Sequence, residues 1–128
     1  MPANNLYEYA IIRFVPRVER EEFVNVGVIL YCRNPQFLQM KFSLDANRLV
    51  ALYPQVDVEE VKSHLNAFER ICLGHVEGGP IALLDIASRF RWLTAKRSTI
   101  VQTSQVHPGL CFDSISTLER LHHQLVLS

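Results

Sequence analysis

The stretch from Val24 to Cys32, VNVGVILYC, constrains this chain more than any other. It is rich in β-branched residues and apolar at successive positions, so both faces of an extended strand here are apolar. Such a strand must be covered on both sides, which places it centrally in a sheet. Gly27 lies inside it, where a glycine signals a bulge or a close approach of neighbouring backbone.

The flanking segments supply neighbours. From Tyr7 to Val15, the residues Tyr7, Tyr9, Ile11, Arg13 and Val15 line one face, and Glu8, Ala10, Ile12 and Phe14 the other; Pro16 ends the strand. The charged run Glu19 to Glu22 suits an exposed loop or one helical turn. After the turn Asn34-Pro35-Gln36, Phe37 to Leu44 alternates, with Leu38, Met40, Phe42 and Leu44 inward and Gln39, Lys41 and Ser43 outward. The short connection implies an antiparallel hairpin.

Helical spacing takes over beyond Leu44. Asp45 can cap a short helix ending before Pro54. Asp57 and Glu60 form a capping box for a second, whose stripe is Val58, Val61, Leu65, Phe68 and Cys72; Gly74 stops it. Pro80 suits the first residue of a third helix carrying Leu83, Ile86, Ala87 and Phe90 inward. Ser98 to Ser104 reads as a fourth strand and His107-Pro108-Gly109 as a turn. A last helix, capped by Asp113 or by a Ser116–Glu119 box, turns Ile115, Leu118, Leu121 and Leu125 inward and Arg120 outward. Grouped strands followed by helices favour the α+β class: a mostly antiparallel sheet of about four strands with helices packed on one face. A length of 128 residues fits one domain.

Charge carries information only locally, because thirteen basic and thirteen acidic side chains cancel. No long-range field draws the chain to nucleic acid or an anionic membrane. From Asp57 to Glu77 five acids outnumber Lys62 and Arg70, whereas from Ile86 to Phe112 there are four bases and no acid. Like charges in one stretch form either a solvated face or an anion site. Cys32, Cys72 and Cys111, odd in number and sparse, argue for a reducing compartment. The start Met-Pro-Ala-Asn-Asn lacks a basic-then-apolar signal pattern, and apolar runs are only strand-length. The expectation is a cytoplasmic protein with no membrane span.

Several constellations suggest chemistry. Cys72-Leu-Gly-His75 and His107-Pro-Gly-Leu-Cys111 have spacings that zinc can use. Against this, Cys72 completes an apolar helix stripe, and core burial accounts for it without a metal. Cys111 as nucleophile would need His107 beside it and an oxyanion hole that nothing locates; an inert buried thiol is the preferred reading. His122 and His123 are adjacent on a helix and point about 100° apart, so they cannot chelate together. Gly78-Gly79-Pro80 lacks the lysine and hydroxyl of a phosphate loop. No metal or cofactor is expected.

The basic segment from about Arg89 to Cys111 is the part folding alone does not explain. On its strand, Ser98, Gln102 and Ser104 share a face that is either solvated or lines a polar pocket, with Arg97 at its start and Arg89 and Arg91 upstream. Guanidinium forks with hydroxyl and amide donors suit phosphate or carboxylate. Arg13 and Asn25, in other strands of the expected sheet, can join them. The competing reading is an exposed edge strand with surface arginines.

The runs Tyr7-Glu-Tyr-Ala-Ile-Ile-Arg-Phe-Val-Pro16, Glu22-Phe-Val-Asn-Val-Gly-Val-Ile-Leu30 and Arg89-Phe-Arg-Trp-Leu-Thr-Ala95, with Arg97-Ser-Thr99 and His107-Pro-Gly109, resemble the bacterial domain-of-unknown-function family 3037. The resemblance implies a small bacterial protein without an assigned activity, often encoded beside a HipA-like kinase, which suggests that kinase as a partner. Lys96 stands where the family often has Pro, adding a charge and loosening the turn.

Three functions remain open at this level. The first is a non-enzymatic binding or interaction module that uses Arg13, Asn25, Arg89, Arg91, Arg97, Ser98, Gln102, Ser104 and His107 to hold a small anionic ligand or a partner's acidic patch. The second is an enzyme on phosphorylated or nucleotide substrates, with His107 as acid or base and arginines as clamps. The third is nucleic-acid binding with Trp92 as a stacking platform.

Overall fold

The computed structural model describes residues 4–127. Strand β1 (Asn5–Phe14) pairs antiparallel with β2 (Val24–Cys32), and β2 pairs antiparallel with β3 (Phe37–Phe42). The other edge of β1 is shared by two short antiparallel strands: β4 (Val101–Thr103) opposite Ile12 to Phe14, and β5 (His107–Cys111) opposite Asn5 to Tyr9. The sheet therefore has five strands in place of about four. His107-Pro108-Gly109 is extended and not a turn, because pairing with β1 captures it. The expected strand over Ser98 to Ser104 shrinks to its last part.

Gly27 fulfils both of its expectations. The β1–β2 register shifts between Ile12 and Arg13, leaving Val26 as the extra residue of a bulge. A Cβ on Gly27 would lie 2.9 Å from both the Lys41 carbonyl oxygen and Phe42 Cβ of β3.

Four helices each begin at a capping aspartate, three of them at the expected caps and the third in chain order at Asp85. Asp45 caps α1 (Ala46–Leu52), Asp57 caps α2 (Val58–Cys72), Asp85 caps α3 (Ile86–Leu93) and Asp113 caps α4 (Ser114–His122), each accepting a backbone N–H of the first turn. Gly74 closes α2 at φ 73°: its N–H reaches Ile71 O and the His75 N–H reaches Arg70 O, the paired bonds of a Schellman ending. Pro80 opens only a short 3-10 turn (Pro80–Leu83), after which the chain breaks and α3 restarts at Asp85. Leu83 is consequently exposed, not inward. In α4 the same correction applies to Ile115, whereas Leu118 and Leu121 are buried. A wide π-type turn (His123–Leu127) ends the described chain.

The helices divide between both faces of the sheet, where one face was expected. Ala10, Ile12, Phe14, Ile29 and Tyr31 form one core with residues of α2 and α3. Tyr7, Val28, Leu30 and Cys32 form a second with Leu118 and Leu121 of α4. This division is what the two apolar faces of β2 required. Among the described residues, no helix is long and apolar enough to cross a membrane.

Candidate functional site

The basic segment starts in α3 and runs through β4 to β5, but its arginines diverge. Arg91 leaves α3 toward β1 and pairs bidentately with Glu8, at 2.8 Å and 3.0 Å. The hydrogen bond to Glu8, reinforced by its charge, raises the Arg91 pKa. Both partners are solvent-accessible, so the pair contributes about 0–1 kcal/mol. Arg89 turns the other way: Nη1 donates to Leu84 O at 2.6 Å, and the guanidinium lies against Gly74 at the end of α2. Its Nε is buried without a hydrogen-bond partner. Arg89 and Arg91 thus brace helix ends and strands rather than meeting at one site.

Arg97 is held most firmly. Its guanidinium stacks over Trp92 (4.6 Å to the ring centroid) and Phe68 (5.0 Å). Nε donates to Ala95 O at 3.3 Å and Nη2 to Trp92 O, which satisfies carbonyls at the end of α3. Burial pulls its pKa down from the ordinary arginine value. The arrangement fixes the planar cation beside a groove of about 330 Å³ lined by Ala95, Lys96, Arg97, Ser98, Gln102 and Thr103. Two cations, two hydroxyls and an amide line it, and no carboxylate does. Gln102 Nε2 already donates to Thr99 O at 2.8 Å, which holds the amide in place.

The other expected residues lie outside this groove. Arg13 projects from the α4 side of β1, directly opposite Asn25 on β2 and Gln102 on β4. Its guanidinium sits 4.0 Å from the Phe23 ring centroid, and burial pulls its pKa down. Asn25 Nδ2 donates to Leu125 O at 3.1 Å, which ties the last turn to the sheet. Arg13 Nε and Asn25 Oδ1 are buried without hydrogen-bond partners. Ser104 is buried and serves the backbone: Oγ accepts from the Ile11 N–H at 2.8 Å and donates to Gln105 O at 2.9 Å. It bridges the break between β4 and β5, which the alternation of the sequence could not reveal.

His107 pairs with Tyr9 and tilts its ring against the tyrosine, with centroids 5.3 Å apart. Cys111 lies four residues along the same strand, roughly 13 Å away at strand rise, so the histidine cannot serve it as a base. Cys72 belongs to the α2–α3 core and Cys111 to the α4 core, on opposite faces of the sheet. The two Cys–His pairs therefore do not converge on a metal. Burial pushes the Cys72 thiol up to about 12. One face of Trp92 is occupied by Arg97, which leaves it poorly suited to stacking a base.

A larger cavity, about 650 Å³, escaped the sequence reading. Glu8, Tyr31, Arg33, Asp85, Ile86 and Arg91 line it, joining β1, the β2–β3 turn and the start of α3. Its residues are scattered over most of the chain and meet through the pairing of Glu8 with Tyr31 across the sheet and of Glu8 with Arg91 of α3.

Fold and site together define a small antiparallel α+β protein with helices on both sheet faces and a basic surface groove. A family model, Protein of unknown function (DUF3037), matches residues 9–126, and the chain belongs to that family. No curated protein and no solved structure matches the chain.

Proposed function

We propose that this protein is a non-catalytic binding module that takes an anionic group in the groove of residues 95–103. The observation that carries the proposal is the lining: Lys96, Arg97, Ser98, Gln102 and Thr103 offer cationic, hydroxyl and amide donors with no carboxylate among them. Arg97 is pre-organised by two rings and two carbonyls, so less conformational entropy is lost when it meets an anion. Phosphate, carboxylate and a partner's acidic patch all present matching acceptors; the HipA-like kinase suggested by the family resemblance is one such partner.

Calorimetric titration with inorganic phosphate, pyrophosphate and nucleoside diphosphates tests the reading. Lys96→Ala and Ser98→Ala should each weaken binding of whichever anion binds, whereas Arg89→Ala and Arg91→Ala should leave it unchanged. Equal losses from all four, or binding indifferent to Lys96 and Ser98, would remove the groove from consideration.

A further inference from the structure

We infer that the sheet end bearing Leu6 and Leu110, together with the adjoining 650 Å³ cavity, is a self-association surface that docks a second copy of this chain. Leu6 of β1 and Leu110 of β5 are direct cross-strand partners and share one face. They are 61% and 63% exposed, and Phe112 just beyond β5 is 64% exposed. Side chains of this size in register on a sheet are ordinarily buried. Here α2 and α3 cover the same sheet face only farther along, over Ala10, Ile12 and Phe14. Two large apolar side chains side by side across the strands, rimmed by the charged residues of the cavity, have the make-up of an interaction site.

Charge complementarity points to the occupant. Leu6 forms one wall of the cavity whose other walls carry Arg33 and Arg91 against Glu8 and Asp85. Glu8 and Arg91 neutralise each other within the chain. Arg33 and Asp85 remain as opposite charges on one concave patch. A uniformly acidic partner would meet Asp85 as a like charge, and a uniformly basic one would meet Arg33. A copy related by a two-fold axis presents the reversed order, Arg33 against Asp85 in both directions, which an isologous interface requires. The net charge of zero adds no long-range repulsion between copies.

Sedimentation equilibrium over about 1–500 μM covers the weak end of standard interfaces, and a concentration-dependent dimer is expected. Leu6→Asp and Leu110→Asp, both at exposed positions, should each weaken it at least about tenfold while circular dichroism stays native. Asp85→Asn retains a good helix cap for α3 and removes only the charge. It and Arg33→Gln should each weaken dimerisation about two- to fivefold, and the double variant no further than either, because each single substitution already removes both symmetry-related ion pairs. A protein that stays monomeric throughout the range overturns the inference. So does a dimer indifferent to Leu6→Asp and Arg33→Gln, because it would use another face.

Discussion

Replacing Gly27 with alanine probes the most crowded point of the sheet. The added methyl would sit 2.9 Å from the Lys41 carbonyl oxygen and 2.9 Å from Phe42 Cβ. Neither atom is the far end of a flexible side chain, so β3 itself must shift away from β2. Overpacking of this kind costs about 1–3 kcal/mol. Alanine also restricts the unfolded chain, which offsets about 0.4–1 kcal/mol. From the middle of each range, the net loss is about 1–2 kcal/mol. For 128 residues the unfolding entropy is roughly 0.27 kcal/mol/K, so the melting temperature should fall by about 4–7 °C. Thermal and urea denaturation followed by circular dichroism measures both quantities, and an unchanged urea slope would show that stability alone has moved. A melting temperature within about 1 °C of wild type would refute the close approach of β2 and β3 at this position.

Gly109 is crowded by a side chain instead of backbone: Tyr7 lies across it, and an added Cβ would fall 2.7 Å from Tyr7 Cε2 as well as against its hydroxyl end, so the tyrosine must move aside. Gly109→Ala should lose stability, and the loss should shrink in a Tyr7→Ala background, as a double-mutant cycle in denaturant would measure. His122 is buried, with Nε2 3.0 Å from Ser43 Oγ; burial, then the charges of Lys41 and His123, pulls its pKa down. The unfolded state then binds the extra proton first, so stability should be intact above about pH 6.5 and decline as pH falls below it, levelling once the folded pKa is passed. His122→Gln should flatten that region of a stability-against-pH curve, leaving the separate acid loss below about pH 4 from the carboxyls of Asp85 and Asp113, whose pKa values are lowered by their helix-capping hydrogen bonds. Cys72, fully buried and with its thiol pushed up to about 12, should resist iodoacetamide in the native state and label only on unfolding, as peptide mass spectrometry would report.

The local sequence determined much of this architecture by itself. Helix caps at Asp45, Asp57 and Asp113, the Gly74 stop and the two apolar faces of β2 are short-range signals, each satisfied by neighbours within a few residues or by strand periodicity. The family resemblance rested on anchors within and around residues 9–126 and carried through. Tertiary structure decided the rest. His107-Pro108-Gly109 looks like a turn until β1 offers it a partner, and Ser104 looks like a pocket donor until the break between β4 and β5 needs its hydroxyl. The acid-free stretch from Ile86 to Phe112 suggested one cluster of free arginines. Folding instead supplied Arg91 with Glu8 from 83 residues away, and Arg89 and Arg97 with backbone carbonyls. Charge counted along a chain cannot register a partner that only the sheet brings near. What the fold leaves of the basic segment is narrower than the sequence implied: one groove around Arg97, lined by two cations and no carboxylate.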